Sequence, residues 1–345
     1  MILRFSRRCS FWLLLCFFPV SSHPARGQGA AGTKKGRKRV DTWLVLDEEK
    51  GKGLARVEQN ADILNSLSIF GNPSKEFINR CHQLHIEVYQ GVSGDASAID
   101  TPDHRRATVN QYLQACSSLG YDGIDLDFEQ LDPSFQTPYS EFLHEASSRL
   151  HAVGKKLSHS VGCYPNGSWS SPRKTFYDPK VVGETCDLVR VMCYDMYWAP
   201  GVGDPTLKHR PDTQGVGPTS SYPWARAGMR FWLDQAPREK LVMGLPAYSN
   251  DYTLSSKIVG KQVYAAEPSF PGPRRKIWLW YDRLFMYVYG ERGAAPHLFY
   301  ASDAESTKAH LETVDELNLP AVGFWHFSSV DPATWKAVRD WLRGR

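Results

Sequence analysis

Short apolar runs recur along this chain, each followed by a polar loop and a longer stretch with helical spacing. Eight runs predict strands: Thr42–Leu46, Ser66–Phe70, His85–Gln90, Gly123–Glu129, Leu157–Val161, Leu188–Tyr194, Leu241–Pro246 and Ala321–Phe327. Between them, apolar residues at three- and four-residue intervals predict helices. These cover Ser74–Leu84, Pro102–Leu119, Pro138–Ala152, Trp224–Gln235, Ser302–Leu317 and Asp331–Leu342. The helical pattern is weaker between the first two strands and after the fifth. The strand runs are rich in Val, Ile and Leu, as strands buried on both faces tend to be. This alternation predicts an α/β fold, a (β/α)8 TIM barrel in a single domain. One segment breaks the pattern. Residues 247–301 hold many Pro, Gly and aromatic residues, and predict a long loop insertion after the seventh strand, on the rim where barrels place their active sites.

The fourth run departs from a plain apolar strand. In Asp122-Gly-Ile-Asp-Leu-Asp-Phe-Glu129, residues Asp125, Asp127 and Glu129 share one face, and Ile124, Leu126 and Phe128 the other. Three carboxyl groups therefore project together, each about 7 Å from the next along the strand. Stacked like charges cost stability unless protons are shared. The arrangement suits chemistry that needs a protonated acid beside ionised neighbours. A solvated acidic strand face is the plainer alternative. Asp122 falls on the face opposite Asp125 and reads as structural.

Charge and cysteine usage narrow the setting. Arg4, Arg7 and Arg8 precede an apolar run from Phe11 to Val20 and the small residues Ser21 and Ser22, the layout of a secretory signal peptide over residues 1–27. Residues 28–40 read as a basic flexible arm and residues 41–345 as the barrel. The formal charge of +4 comes from the leader: residues 1–39 hold nine of the 41 basic side chains and no acid. The rest is slightly acidic (32 basic against 37 acidic), which argues against nucleic acid as a partner. With the signal removed, no membrane association is expected. Cys81, Cys116, Cys163, Cys186 and Cys193 show no CxxC spacing, so no metal and no cofactor are expected. One or two disulfides are open to them in an oxidising compartment, with a thiol left over. Asn166-Gly-Ser168 is the one glycosylation sequon.

The acidic strand resembles that of glycoside hydrolase family 18, the chitinases and their relatives. The family's Asp-Gly-x-Asp-x-Asp-x-Glu pattern is matched by Asp122, Gly123, Asp125, Asp127 and Glu129. Met192-Cys-Tyr194-Asp195 resembles the family's sixth-strand Met-x-Tyr-Asp, and Trp325 in Gly323-Phe-Trp-His326 its eighth-strand tryptophan. The phrase Lys240–Thr253, with Gln130 after the glutamate, is most similar to the lysosomal di-N-acetylchitobiase branch. The third strand departs from the pattern: Gln90-Gly-Val-Ser-Gly94 stands where Ser-x-Gly-Gly is usual.

The resemblance implies substrate-assisted hydrolysis, outside the usual two-carboxylate scheme. It makes Glu129 the acid and then the base, while the substrate's own acetamido carbonyl forms an oxazolinium ion. Asp127 holds the acetamido N–H, Asp125 shares a proton with Asp127, and Tyr194 donates to the acetamido oxygen. Trp325 floors the sugar site, with Asp195, Met192 and Tyr248 as further sugar contacts. Trp198, Tyr248, Trp278 and Trp280 are candidates for stacking on sugars, and His326 for a core histidine. The implied partner is an N-acetylglucosamine oligosaccharide, met by a monomer in the secretory pathway, lysosomal or extracellular. An endochitinase or endo-β-N-acetylglucosaminidase is the alternative enzyme. A non-hydrolytic chitinase-like lectin is the alternative from another class, and the presence of Glu129 argues against it.

Overall fold

The computed structural model describes residues 38–49, 51–129, 131–163, 175–203, 215–267 and 273–344. The signal peptide, all but the end of the basic arm, Gln130 and the Asn166 sequon lie outside the described residues.

Eight parallel strands close into a barrel. They are β1 (Arg39–Val45), β2 (Ser66–Phe70), β3 (Glu87–Val92), β4 (Gly123–Leu126), β5 (Lys156–Gly162), β6 (Leu188–Met192), β7 (Leu241–Pro246) and β13 (Ala321–Trp325). Closure comes from β1, which pairs with β2 on one side and β13 on the other. Helices α1 (Gly53–Gln59), α2 (Lys75–Gln83), α3 (Pro102–Leu119), α4 (Gln136–His151), α5 (Pro179–Thr185), α6 (Tyr222–Leu233), α7 (Ala304–Glu316) and α8 (Pro332–Arg343) alternate with the strands. The two connections with weak periodicity thus carry the short helices α1 and α5.

Local chemistry sets the helix ends. Ser74, Thr101 and Asp331 accept hydrogen bonds from backbone N–H groups in the first turns of α2, α3 and α8. Asp303 and Ser306 form a reciprocal capping box on α7. At its other end α3 stops at Gly120, whose φ of 93° is left-handed.

The strands bury both faces. Their outward side chains, among them Leu44, Ile69, Ile124, Leu126, Val189 and Phe324, join the helices in the main apolar core. The inward ones form layers. Tyr89, Leu188, Val242 and Ala321 fill the lower end, and Trp43, Phe70, Met192, Tyr194, Tyr248 and Trp325 gather at the upper end. Trp43 fits because β7 carries glycine opposite it: a Cβ at Gly244 would lie 2.6 Å from the indole.

The expected long loop after β7 is instead an antiparallel sheet. Strands β8 (Ser249–Leu254), β9 (Ile258–Val263), β10 (Arg274–Leu279), β11 (Leu284–Tyr289) and β12 (His297–Tyr300) run in the order β10-β11-β12-β8-β9. The aromatic residues that make this segment look irregular are its core: Tyr287, Tyr289 and Phe299 pack together. Asp251, 1% exposed, accepts from Tyr289 Oη at 2.8 Å and ties β8 to β11. Among the described residues, Cys81, Cys116, Cys163, Cys186 and Cys193 are buried free thiols. Among the described residues, no helix is long and apolar enough to cross a membrane.

Candidate active site

The acidic stretch projects its carboxyls as the alternation requires, but the strand itself is shorter than expected. Pairing on β4 ends at Leu126, and Asp127 keeps only a backbone bond from its N–H to Val92 O at 2.8 Å. Likewise β6 stops at Met192 and β13 at Trp325. The residues expected to carry chemistry sit at these upper ends, where the ladder gives out and backbone can turn toward the barrel axis. Phe128 faces outward against Tyr139 and Phe142, with ring centroids 5.5 and 5.8 Å away. Asp122 is structural: it accepts from Val88 N at 2.8 Å and from His82 Nε2 at 2.9 Å.

The three carboxyls occupy different environments. Asp125 is fully buried, and accepts from Ser158 Oγ at 2.7 Å and Ser160 Oγ at 3.0 Å. Asp127 is half-buried, and its Oδ1 is buried without a hydrogen-bond partner. Burial first, then the charges of Glu129 and Asp125, push its acidity to about pKa 8. Glu129 is exposed at the mouth. Asp127 is therefore neutral at ordinary pH, beside an open carboxyl and above a buried one.

Tyr194 is 8% exposed, and its Oη has no partner. Burial and the surrounding carboxylates keep its phenol protonated far beyond neutral pH. Its ring stacks at 29° to Trp325, with centroids 6.4 Å apart. Trp325 is half-buried, held edge-on by Phe70 and Trp43 at 5.5 and 6.2 Å, and Met192 packs in the same cluster. Asp195 adopts a left-handed φ of 56°. Its backbone N–H donates to Thr219 Oγ1 at 3.1 Å, and its Oδ1 accepts from Tyr248 Oη at 2.7 Å and Gln262 Nε2 at 2.9 Å.

Tyr248, expected as a sugar contact, lies deeper than the others. It is 2% exposed, so its ring faces are covered by protein, and it serves as a donor to Asp195. Among the candidate stacking residues, Trp198 and Trp278 are half-buried, and Trp280, at 85% exposure, stands in the turn between β10 and β11. His326 is a core residue at 2% exposure, with Nε2 3.3 Å from Ser329 Oγ.

Polar residues outside the motifs complete the site. Arg190 on β6 is fully buried, with Nε 3.7 Å from Asp125 Oδ1. Its sequence signal is an arginine inside the apolar run Leu188-Val-Arg-Val-Met192, in phase with the inward Leu188 and Met192. Ser158 and Ser160 alternate on β5 in the same way. Gln262, which reaches Asp195 from β9, carries no comparable signal.

Residues 77–329 match the sequence profile of Glycosyl hydrolases family 18. The cortical fragment-lytic enzyme of Bacillus subtilis (strain 168) is 25% identical over 244 residues, 68% of this chain and 53% of that protein. The class V chitinase of Arabidopsis thaliana is 28% identical over 174 residues, 47% of this chain and 42% of that protein. The chain thus spans about half the length of the curated relatives it matches. Among solved structures, a chitinase from Chromobacterium violaceum ATCC 12472 superposes with a TM-score of 0.74 at 18% identity, covering 89% of this chain and all of that one, a likeness of fold. The profile match spans β4, β6 and β13 together with their acidic, Met-x-Tyr-Asp and tryptophan residues, and the chain belongs to glycoside hydrolase family 18.

Proposed function

We propose that this chain is a retaining glycosidase that hydrolyses β-1,4-linked N-acetylglucosamine in short chitin-type or N-glycan-core oligosaccharides. The reading rests on one observation above others. Two polar atoms, Tyr194 Oη and Asp127 Oδ1, are buried at the upper end of the barrel with no protein partner. A buried polar group without a protein partner calls for one from outside the chain, whether water or a ligand. One is a donor and the other an acceptor, the pair that an acetamido group demands.

The chemistry follows from those positions. Glu129, open at the mouth, protonates the glycosidic oxygen as the bond to the leaving sugar breaks. The substrate's acetamido oxygen, oriented by Tyr194 Oη, attacks the anomeric carbon and forms an oxazolinium ion. Asp127 accepts the acetamido N–H, and the carboxyl column beneath stabilises the positive charge that develops there. Glu129, now a carboxylate, takes a proton from water as the water opens the ring, so configuration is retained. Trp325 supplies the apolar floor. Asp195 contacts the sugar from the wall, held by Tyr248 and Gln262.

Short oligomers are the favoured substrates, in a chitobiase-like action. This accords with the Lys240–Thr253 phrase and with similarity to an enzyme named for lysing fragments. The basic, then apolar, leader argues for work in the secretory pathway, in lysosomes or outside the cell.

Incubation with N-acetylglucosamine oligomers of different lengths, with products followed by mass and anomeric configuration by NMR, tests this reading. Stepwise release of single sugars with retained configuration is the expected result. Inverted product would rule out the oxazolinium route, and internal cuts giving mainly dimers would move the assignment to an endochitinase. Binding with no turnover would move it to a lectin.

A further inference from the structure

The barrel interior holds a charged network that the reaction above does not use. Arg190 Nε donates to Ser158 Oγ at 3.0 Å, and its Nη2 donates to Ser66 Oγ at 2.9 Å. Ser66 Oγ in turn donates to Asp41 Oδ1 at 2.8 Å. On the other side, Trp43 Nε1 donates to Ser160 Oγ at 2.9 Å. Arg190 also lies 5.3 Å from the Tyr89 ring and 5.8 Å from the Trp43 ring.

The direction of each bond is fixed by its chemistry. A guanidinium and an indole N–H can only donate, so Ser158 and Ser160 must accept from them. Each serine then has a single proton to give, and both give it to Asp125. A proton on Asp125 would make one of its oxygens a poorer acceptor and weaken the serine bond to it, whereas the ionised carboxylate accepts strongly on both. Asp127 stands in no such network, and its buried Oδ1 has no partner.

Resting on the proposed hydrolysis, we infer that Arg190 is a positioning residue for the acid–base column: through Ser158 it fixes Asp125 as an acceptor on both oxygens, and so leaves the column's exchangeable proton on Asp127. The other charged groups facing the network are Arg39 and Asp41 from β1, Glu87 from β3, which accepts from Tyr89 Oη at 3.0 Å and pairs with Lys156 from β5, and Glu129 from the end of β4. Tyr89 from β3, Tyr194 from the end of β6 and His159 on the outer face of β5 are neutral: burial raises the two phenols and lowers the imidazole to about 4. Behind the sheet, the buried Tyr139 and Cys186 are neutral for the same reason. Arg190 is thus the nearest cation to Asp125, at 3.7 Å. Its charge lowers the cost of the whole column's negative charge.

Two measurements on the folded full chain test this assignment. The first is infrared spectroscopy, in which a buried neutral carboxyl gives its own C=O band near neutral pH. Asp127→Asn should abolish a band present in the parent protein, and adding Arg190→Gln to that variant should bring a band back, now from Asp125. A band that survives Asp127→Asn, or none after Arg190→Gln is added, would overturn the inference. The second is the pH profile of kcat/KM on a chromogenic N-acetylglucosamine dimer. Arg190→Gln should move the alkaline limb up by about one pH unit, and Arg190→Lys should return it. A purely structural role would lower activity at every pH and leave the limb where it was, which would contradict the inference. Should Arg190→Gln not fold, Ser158→Ala takes its place in both measurements, with a shift in the same direction. A parent protein without turnover would defeat the proposed hydrolysis, while the infrared result would still decide the location of the proton.

Discussion

Asp127 is where the site departs most from what a stable fold prefers. An unfolded aspartate ionises near 3.8, whereas burial and two neighbouring carboxyls hold Asp127 neutral up to about 8. Between those values the folded chain keeps a proton that the unfolded chain has lost. Stability tied to this group is complete below about 4 and declines as pH rises through 8. Asp127→Asn should therefore abolish turnover yet raise stability at neutral pH by about 1–3 kcal/mol, with the gain vanishing in acid. Thermal melts across pH measure it, and a destabilised variant at neutral pH would contradict the description of a neutral, buried carboxyl. Tyr194→Phe asks the matching question of the donor. Its hydroxyl has no protein partner, so removal should leave stability unchanged or slightly higher while kcat falls about 10- to 100-fold. An unchanged kcat would remove Tyr194 from the chemistry.

Elements differ in how plainly the sequence announces them. The barrel strands are legible because strands buried on both faces need continuous apolar runs, and β2 and β7 begin and end at the expected residues. The expected strands at β4, β6 and β13 overrun their ends, since side-chain alternation continues past the last ladder bond. The sheet β8–β12 was illegible as strands. Its runs mix Lys, Arg and Gly with aromatics, and its pairing is set by neighbours distant in sequence. The carboxyl column was legible because like charges in a buried strand demand a reason. Arg190 carried only the signal of a charge inside an apolar run, and Gln262 none, because its role depends on β9 meeting the barrel mouth. Gln262→Ala tests that meeting. Loss of this donor to Asp195 Oδ1 should raise KM about fivefold with little change in Tm. An unchanged KM would detach the added sheet from substrate binding.

At the scale of the whole molecule, the pH dependence of stability has a calculable shape. His159 and His310 are buried, and that burial lowers both imidazoles to about 4 from an ordinary 6.5. As pH falls from about 6.5 towards 4, the unfolded chain gains two protons that the folded chain refuses, so the stability they confer above 6.5 is lost. Asp127 works in the opposite sense over part of the range, but one proton does not offset two. Asp282 and Asp303, also raised by burial, act in the same sense as Asp127 at the acid end. These groups together place maximum stability between about pH 6 and 7, with a decline on either side. Denaturant titrations over this range should trace that maximum, and stability that rises steadily into acid would contradict the neutral, buried histidines. A protein working in an acidic compartment would then operate below its stability maximum.

The family assignment, the carboxyl column and the unpartnered Tyr194 converge on one claim, that Glu129 delivers the proton that breaks the glycosidic bond. Glu129→Gln tests it most directly, because the side chain is exposed and the substitution removes the acid while keeping its shape. Turnover of N-acetylglucosamine oligomers should fall by about 10³-fold, with oligosaccharide binding and the melting temperature retained. Turnover within tenfold of the parent would contradict the account.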